Sequence, residues 1–403
     1  MLYDDAHGMG HLPFFSYICK SLEEEYDLYV LLGNGLSEEY FLGAKVIKIQ
    51  SKKNSELYNA SRFKQIEEIL IDLAPDVFLI DFFPFGRYGN ILEINLITSF
   101  IKDKGGKNIS IMRDIYLGKK VLKKQGYDKF LEILYDKKGK DINWVIENDY
   151  RWFFDIIFKG KIHHIFLIQA YLSYSISKNI IDGILVFGDK KIFDISSELV
   201  LEQGEEEFFH HIGYIPEAKT KIGSIEPRKN SILISTGGNV TSEKDFENLM
   251  LYMNSLSGYS IRVLLGPYVS REYKKKIISM VYSNKNITVT GFVDNFTELL
   301  LSSQYFFGFG GYGTFQSLFH YTGRAYIMSN YDDKDFKHRY YEQKYRTIHL
   351  KDFLNVEFLS DFSFGNLDLC MKDQTKHAKK KKIGFCSPSK LVKVINKIID
   401  TNK

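Results

Sequence analysis

Cysteine is scarce in this 403-residue chain: only Cys19, Cys370 and Cys386, far apart in sequence. An odd, scattered set without a Cys-x-x-Cys pair excludes a disulfide scaffold or a zinc ribbon and favours a reducing compartment. A charge of one sign is also lacking. With 54 Lys and Arg against 50 Asp and Glu, the net charge is only +4, so the bulk charge makes no case for nucleic acid as a partner. Long apolar runs are missing too. The most apolar central stretch, 162–176, is interrupted by His163, His164 and Gln169, which makes it too short and too polar to cross a bilayer. The first residues do not show the basic, apolar, small-residue order of a secretory signal. These absences predict a globular cytoplasmic protein. One basic run stands out, Lys376-His377-Ala378-Lys379-Lys380-Lys381-Lys382. The plainer reading is a solvated loop. The sharper one, which would place the protein at the inner face of the membrane, is attraction of Lys379, Lys380, Lys381 and Lys382 to anionic headgroups. Such attraction is worth about 1 kcal/mol per basic residue.

What is present is an alternation of short apolar runs with helix-length segments. At about 150 residues per domain, the length predicts two domains. In the first half, strands are expected at 1–5, 28–32, 45–49, 76–81, 109–112 and 184–187. The run Asp76–Asp81 is apolar enough to be buried on both faces, and Phe83-Pro84-Phe85-Gly86 after it is a turn signal. Strands separated by helices imply parallel βαβ units and a doubly wound sheet. Residues 117–180 interrupt this pattern with mixed helical periodicity, which we read as a helical insertion because structureless loops of that length are uncommon. Residues 216–230, with Gly223, Pro227 and several lysines, look like a linker. A second α/β series follows, with strands at 232–235, 261–265, 287–290, 305–308 and 325–328 and a final amphipathic helix near 389–399. The expected domains are therefore 1–215 and 231–403, with the last helix packing back on the first domain. Two such sheets facing a cleft would bind ligand at their carboxyl edges.

Five places in the chain could carry chemistry. Gly8-Met9-Gly10-His11 lies between the opening strand and a helix. Its glycines admit close backbone approach, and His11 has the right acidity for proton transfer near neutrality. A tight turn with a capping histidine is an even alternative, and His7 ranks behind His11. Arg113-Asp114 ends a buried strand, where a carboxylate could orient a histidine, although a local ion pair is the plainer reading. Ser235-Thr236-Gly237-Gly238-Asn239 ends the first strand of the second half and could wrap a phosphate, or be an ordinary turn. The densest signal is Gly308-Phe309-Gly310-Gly311-Tyr312-Gly313-Thr314, with four glycines in six residues between a strand and a helix. That is costly in backbone entropy unless something approaches closely, and it suits a diphosphate. The Gly-Lys-Ser/Thr ending of a Walker loop is absent. Finally, Glu342 and Gln343 could bond sugar hydroxyls, or lie on an exposed helix face.

Other features invite plainer readings. Asp332-Asp333-Lys334-Asp335 lacks the glycine and the ligand spacing of a calcium loop. The adjacent pairs His163-His164 and His210-His211 diverge on either a helix or a strand, so neither is a metal site. Trp152-Phe153-Phe154 with Phe158 reads as the core of the insertion.

Taken in order, Gly8-Met9-Gly10-His11, Asp81 with Pro84, Gly86 and Gly89, Arg113-Asp114, Leu185–Asp189, Thr236-Gly237-Gly238, Gly291–Asn295, Gly310–Thr314 and Glu342-Gln343 with Arg346 resemble a known group. It is the glycosyltransferases related to the lipid-linked N-acetylglucosaminyl transferase of peptidoglycan synthesis (the glycosyltransferase family 28-like group). The likeness covers most of the chain outside the insertion and the extreme C-terminus. It implies a GT-B fold, two Rossmann-like domains facing a cleft. The first domain would bind a hydroxyl acceptor (a glycan, lipid-linked or small molecule) and the second a nucleotide diphosphate-sugar, UDP-linked by preference. His11 would be the general base with Asp114 as its catalytic partner, and Gly8, Gly10 and Arg113 would lie on the acceptor or phosphate side. Gly237, Gly238, Asn239 and Gly310, Gly311, Tyr312, Gly313 and Thr314 would hold the diphosphate, while Glu342 and Gln343 read the sugar. Neither cofactor nor metal is implied, and inversion is the implied outcome. The chain departs from the pattern in three ways. Pro13 and Phe14 stand where a basic residue is usual, Ser317 replaces a ribose-binding glutamate, and 117–180 is long for the group. Two alternatives stand beside transfer: a hydrolase or epimerase of the nucleotide-sugar on the same fold, and a catalytically inactive binding partner.

Overall fold

In the computed structural model of the protein, residues 2–4, 12–33, 38–50, 59–85, 91–115, 124–148, 164–216, 227–238, 243–328, 337–372 and 381–401 are described. They divide into two compact units. Described residues up to 215 together with 384–401 form the first, and 216–383 the second.

The first unit runs β1 (Leu2–Asp4), α1 (Leu12–Leu22), β2 (Tyr29–Leu32), β3 (Lys45–Lys48), α2 (Ala60–Leu73), β4 (Val77–Asp81), α3 (Ile91–Asp103) and β5 (Lys107–Arg113). Among the described residues, α4 (Lys124–Lys138), α5 (Ile142–Asn148) and α6 (His164–Ser177) follow, before β6 (Gly183–Phe187) and β7 (Phe209–His211). Every neighbouring pair of strands is parallel, in the order β3-β2-β1-β4-β5-β6-β7. All five residues of β6 are buried, as a parallel strand covered on both faces requires. The α2 helix starts where the Asn59 side chain accepts the Arg62 amide at 3.1 Å, satisfying one of the first-turn donors. It is stapled to α3 by Arg62 and Glu93, both wholly buried, whose Nε reaches each carboxylate oxygen at 3.0 Å.

The second unit runs β8 (Arg228–Ser235), α7 (Glu243–Ser255), β9 (Ser260–Leu264), α8 (Arg271–Val281), β10 (Ile287–Thr290), α9 (Phe296–Leu301) and β11 (Ser303–Phe309). It continues through α10 (Tyr312–Leu318), β12 (Arg324–Met328), α11 (Lys337–Leu350), β13 (Val356–Phe358) and α12 (Phe364–Lys372). The strands are again parallel, ordered β10-β9-β8-β11-β12-β13. In both sheets the first three strands step one way and the rest step the other. The reversal falls between β1 and β4 in one and between β8 and β11 in the other. At such a switch point the carboxyl ends of the flanking strands splay apart and leave room for a ligand.

The strands β7, β8 and β13 depart from the expected pattern. β8 begins at Arg228, inside the expected linker, because the Arg228 amide bonds the Ser302 carbonyl (3.0 Å) and pairs the strand with β11. β7 and β13 are three-residue edge strands, too short to stand out as apolar runs. The last helix, α13 (Pro388–Asp400), lies in the first unit. Ser387 caps it by accepting the Lys390 amide at 3.2 Å, with Pro388 at the first helical position. Its Leu391, Ile395 and Ile398 are buried. Ile398 packs over Gly183, where a Cβ would stand only 2.7 Å from its Cδ1. The chain is secured just ahead of this helix by bonds from Tyr214 N to Gly384 O (2.9 Å) and from Cys386 N to Tyr214 O (2.8 Å). Asp189 adds a third, accepting the Gly384 amide at 2.8 Å.

Candidate functional site

The strongest constellation lies wholly within the second unit, at the switch point. Gly308 of β11 pairs with Ser235 of β8. Register therefore brings the turns that follow these two strands side by side at the carboxyl edge of the sheet.

The turn after β8 is held from below and from one side. Thr236 is fully buried; its amide bonds the Leu264 carbonyl at 3.1 Å, and its hydroxyl accepts the Gly266 amide at 2.8 Å. The Gly237 amide donates to the Ser235 hydroxyl at 3.2 Å, and Gly237 itself has φ +59°, a conformation a side chain would strain. The loop after β9 closes against this turn. A Cβ on Gly266 would lie 1.8 Å from the Gly237 carbonyl oxygen, and the Tyr268 amide donates to Gly238 O at 3.0 Å. Gly266 and Tyr268 were not singled out from sequence. The only local signal was the Gly266-Pro267 turn pair after an apolar run. Tyr268 (55% exposed) and Phe292, which follows β10 (56% exposed), are large aromatic faces left open at this end of the sheet.

The turn after β11 is equally determined. The Gly310 amide bonds Met328 O at 3.2 Å, the Gly311 amide bonds Phe309 O at 3.0 Å, and Gly311 enters α10 with no side-chain cap. The Gly313 and Thr314 amides sit in the first helical turn, where no carbonyl of the helix can accept them. Gly313 is exposed and Thr314 half-buried. Paired backbone donors of this kind, on a turn with no bulky side chain, suit a phosphate oxygen.

Other expected contributors to this site sit differently from their sequence reading. Gln343 is buried and packs behind the turn, its Cβ 3.2 Å from where a Cβ on Gly310 would stand. The Glu342 carboxylate accepts Arg346 Nη2 at 2.7 Å, one helical turn along α11. Gln343 thus lies against the glycine turn, with Glu342 paired beside it, because α11 packs against β12. Ser317 faces inward as well, its hydroxyl 3.1 Å from that of Thr297 and only 5% exposed. The hydroxyl expected at a ribose thus joins α9 to α10. The Tyr312 ring is buried, so its backbone is the part available at the turn.

On the first unit, Arg113 is half-buried and Asp114 is 1% exposed, at the end of β5. The end of β6 presses on Asp114, leaving a Cβ on Gly188 only 2.9 Å from its Cα. Gly8, Gly10, His11, His7, Asn239, Asp332–Asp335, Trp152 and its neighbours, and Lys379 and Lys380 lie outside the described residues. Lys381 is engaged with Asp352 at 3.2 Å, and Lys382 is exposed. Burial pushes the pKa of both His210 and His211 below the usual imidazole range, and His211 sits 3.5 Å from Asp194. Among the described residues no group of three or more His, Cys, Asp or Glu could hold a metal ion. None of their helices is long and apolar enough to cross a membrane.

No protein-family model matches the chain, and no curated protein matches it. Solved structures do resemble it. A spinosyn forosaminyltransferase, SpnP, superposes with a TM-score of 0.58 at 10% identity, over 99% of this chain and 98% of its own. Phytolacca americana UGT2, solved with UDP-2-fluoro-glucose and pterostilbene, gives 0.54 at 11% identity, over 99% and 89%. Acinetobacter baumannii MurG gives 0.52 at 8% identity, over 100% and 94%. At such low identity these likenesses establish the fold, which is that of the GT-B glycosyltransferases.

Proposed function

We propose that this protein is a glycosyltransferase that moves a sugar from a nucleotide diphosphate donor, UDP-linked by preference, to a hydroxyl acceptor. The observation that carries this reading is the adjacency of two backbone turns, Thr236–Gly238 and Gly310–Thr314, at the switch point of the second unit. A diphosphate carries its charge on several oxygens, and amides from two turns can meet it together. The exposed rings of Tyr268 and Phe292 offer flat apolar faces to a nucleobase on the same edge.

In the reaction proposed, an acceptor hydroxyl attacks the anomeric carbon as the bond from that carbon to the phosphate oxygen breaks. The hydroxyl proton passes to His11, which Asp114 orients, and the configuration inverts. The leaving diphosphate takes the bonding electron pair, and the backbone amides stabilise its charge. Donors fixed in place before reaction do this without reorganising, so the chemistry needs no metal. The acceptor is a glycan, a lipid-linked saccharide or a small hydroxylated molecule. A lipid-linked acceptor would bring the run Lys376–Lys382 to an anionic surface, which vesicle binding at low salt tests.

A screen of nucleoside diphosphates by thermal shift tests the core of this reading. A ligand at about 100 times its dissociation constant stabilises the fold by roughly 2.7 kcal/mol. If no nucleoside diphosphate shifts the transition, the reading fails. His11→Ala should lower turnover by about 10²–10⁴-fold with donor affinity unchanged. Rapid donor breakdown without acceptor would point instead to a hydrolase.

A further inference from the structure

We propose that Arg346 is a positioning residue for the donor, acting through the Gly310 carbonyl to hold the glycine turn in its anion-binding form. The inference rests on the donor-binding reading above.

Arg346 is completely buried on α11. Its Nη1 donates to Gly310 O at 3.0 Å and its Nη2 to Glu342 Oε1 at 2.7 Å. The guanidinium carbon lies 6.0 Å from the centres of both the Tyr312 and Phe315 rings, the first and fourth residues of α10. One side chain therefore touches the turn at its glycine, the helix that follows it, and Glu342 on its own helix. A buried cation is costly unless its donors are satisfied, and here a loop carbonyl is one of its acceptors. That bond fixes the Gly310–Gly311 peptide plane, with the Gly311 amide turned back to Phe309 O at 3.0 Å. Two amides of the first helical turn, at Gly313 and Thr314, are then presented at the edge.

The charge adds a second effect. Arg346 has no exposure, while the Glu342 side chain is 30% exposed. Water screens the acid more than the cation, so the field at the turn favours an anion. A residue kept only for packing would not need this asymmetry.

Three variants of the full chain decide the matter, each measured by UDP titration calorimetry and by hydrogen exchange of the 308–318 segment without ligand. Arg346→Met should weaken UDP binding by at least about tenfold, the loss expected for a charge-assisted bond, and should speed exchange in 308–318 while leaving β8 and β9 unchanged. Arg346→Lys keeps the charge without the fork and should recover part of that affinity. Glu342→Gln keeps an acceptor for Nη2 but removes the negative charge, so UDP should bind as tightly as to the wild type or tighter. If Arg346→Met does not fold, the other two variants carry the decision. Wild-type UDP affinity in Arg346→Met or in an unfolding-resistant Arg346→Lys with unchanged exchange overturns the inference alone. So does weakening by Glu342→Gln as large as that by the arginine variants. A wild-type chain that binds no UDP overturns the donor-binding reading as well.

Discussion

β4 in the first unit and β11 in the second hold the same place in the same strand order, yet their carboxyl ends are built from different chemistry. β11 leads through Gly310-Gly311 to the open amides of Gly313 and Thr314 in the first turn of α10. β4 ends in Asp81, which is 5% exposed, and leads into Phe82-Phe83-Pro84-Phe85, with Phe83 and Phe85 buried. The Phe82 amide bonds Ile111 O at 2.8 Å, and the Ser110 hydroxyl donates to Phe83 O, so this turn is tied down onto β5. The neighbouring carboxylate, Asp114, is buried too. Topology provides the crevice in both sheets, and the two or three residues after each strand decide what it offers. In the second unit that is backbone donors; after β4 and β5 of the first it is buried aromatic rings and buried acids.

Three substitutions test this contrast. The largest effect should come from the first unit, where Arg62 and Glu93 join the first turns of α2 and α3. Arg62→Met leaves Glu93 buried without its partner, and breaking such a pair costs about 3–5 kcal/mol. Chemical denaturation should show that loss, with UDP affinity unchanged at concentrations where the chain is folded. A parallel fall in UDP affinity would mean that the two regions are not separable. Next comes Gly266→Ala, whose Cβ would lie 1.8 Å from a backbone oxygen of the first glycine turn. Overpacking of this kind costs roughly 1–3 kcal/mol, and because the displaced atoms belong to Gly237 and Gly238, UDP binding should disappear as well. Retained binding would place the diphosphate elsewhere. The smallest stability effect belongs to Gly311→Ala. It has φ −67° and no atom within 4 Å of the new Cβ, so thermal unfolding should move by no more than about 0.5 kcal/mol. The methyl would nonetheless project at the edge of the turn and weaken UDP binding. A variant equal to wild type in both would sink the close-approach reading of this loop.

Much of the fold was legible because buried parallel strands are continuous apolar runs, and Val77–Asp81, Gly183–Phe187 and Arg324–Met328 stand out as such. Glycine density likewise marked the turns at Gly237-Gly238 and Gly310–Thr314. The partners of those turns were hidden. Nothing adjacent in sequence ties Gly266 to Gly237, about thirty residues earlier, and their contact exists only because β9 pairs with β8. The surroundings of Glu342 and Gln343 were hidden for a related reason. A polar pair on a helix looks presentable to ligand until the packing of α11 turns Gln343 inward and gives Glu342 to Arg346.

Local pattern alone therefore established two α/β halves and parallel sheets, and marked the glycine turns that follow two of the strands. These follow from burial period and from the backbone freedom of glycine, both properties of short segments. Only tertiary structure decided that the two glycine turns lie on adjacent strands, that Thr236, Gly266 and Arg346 hold them, and that Ser317 bonds Thr297. Those facts depend on strand order and register, which join residues far apart in the chain and are written in no single stretch of it.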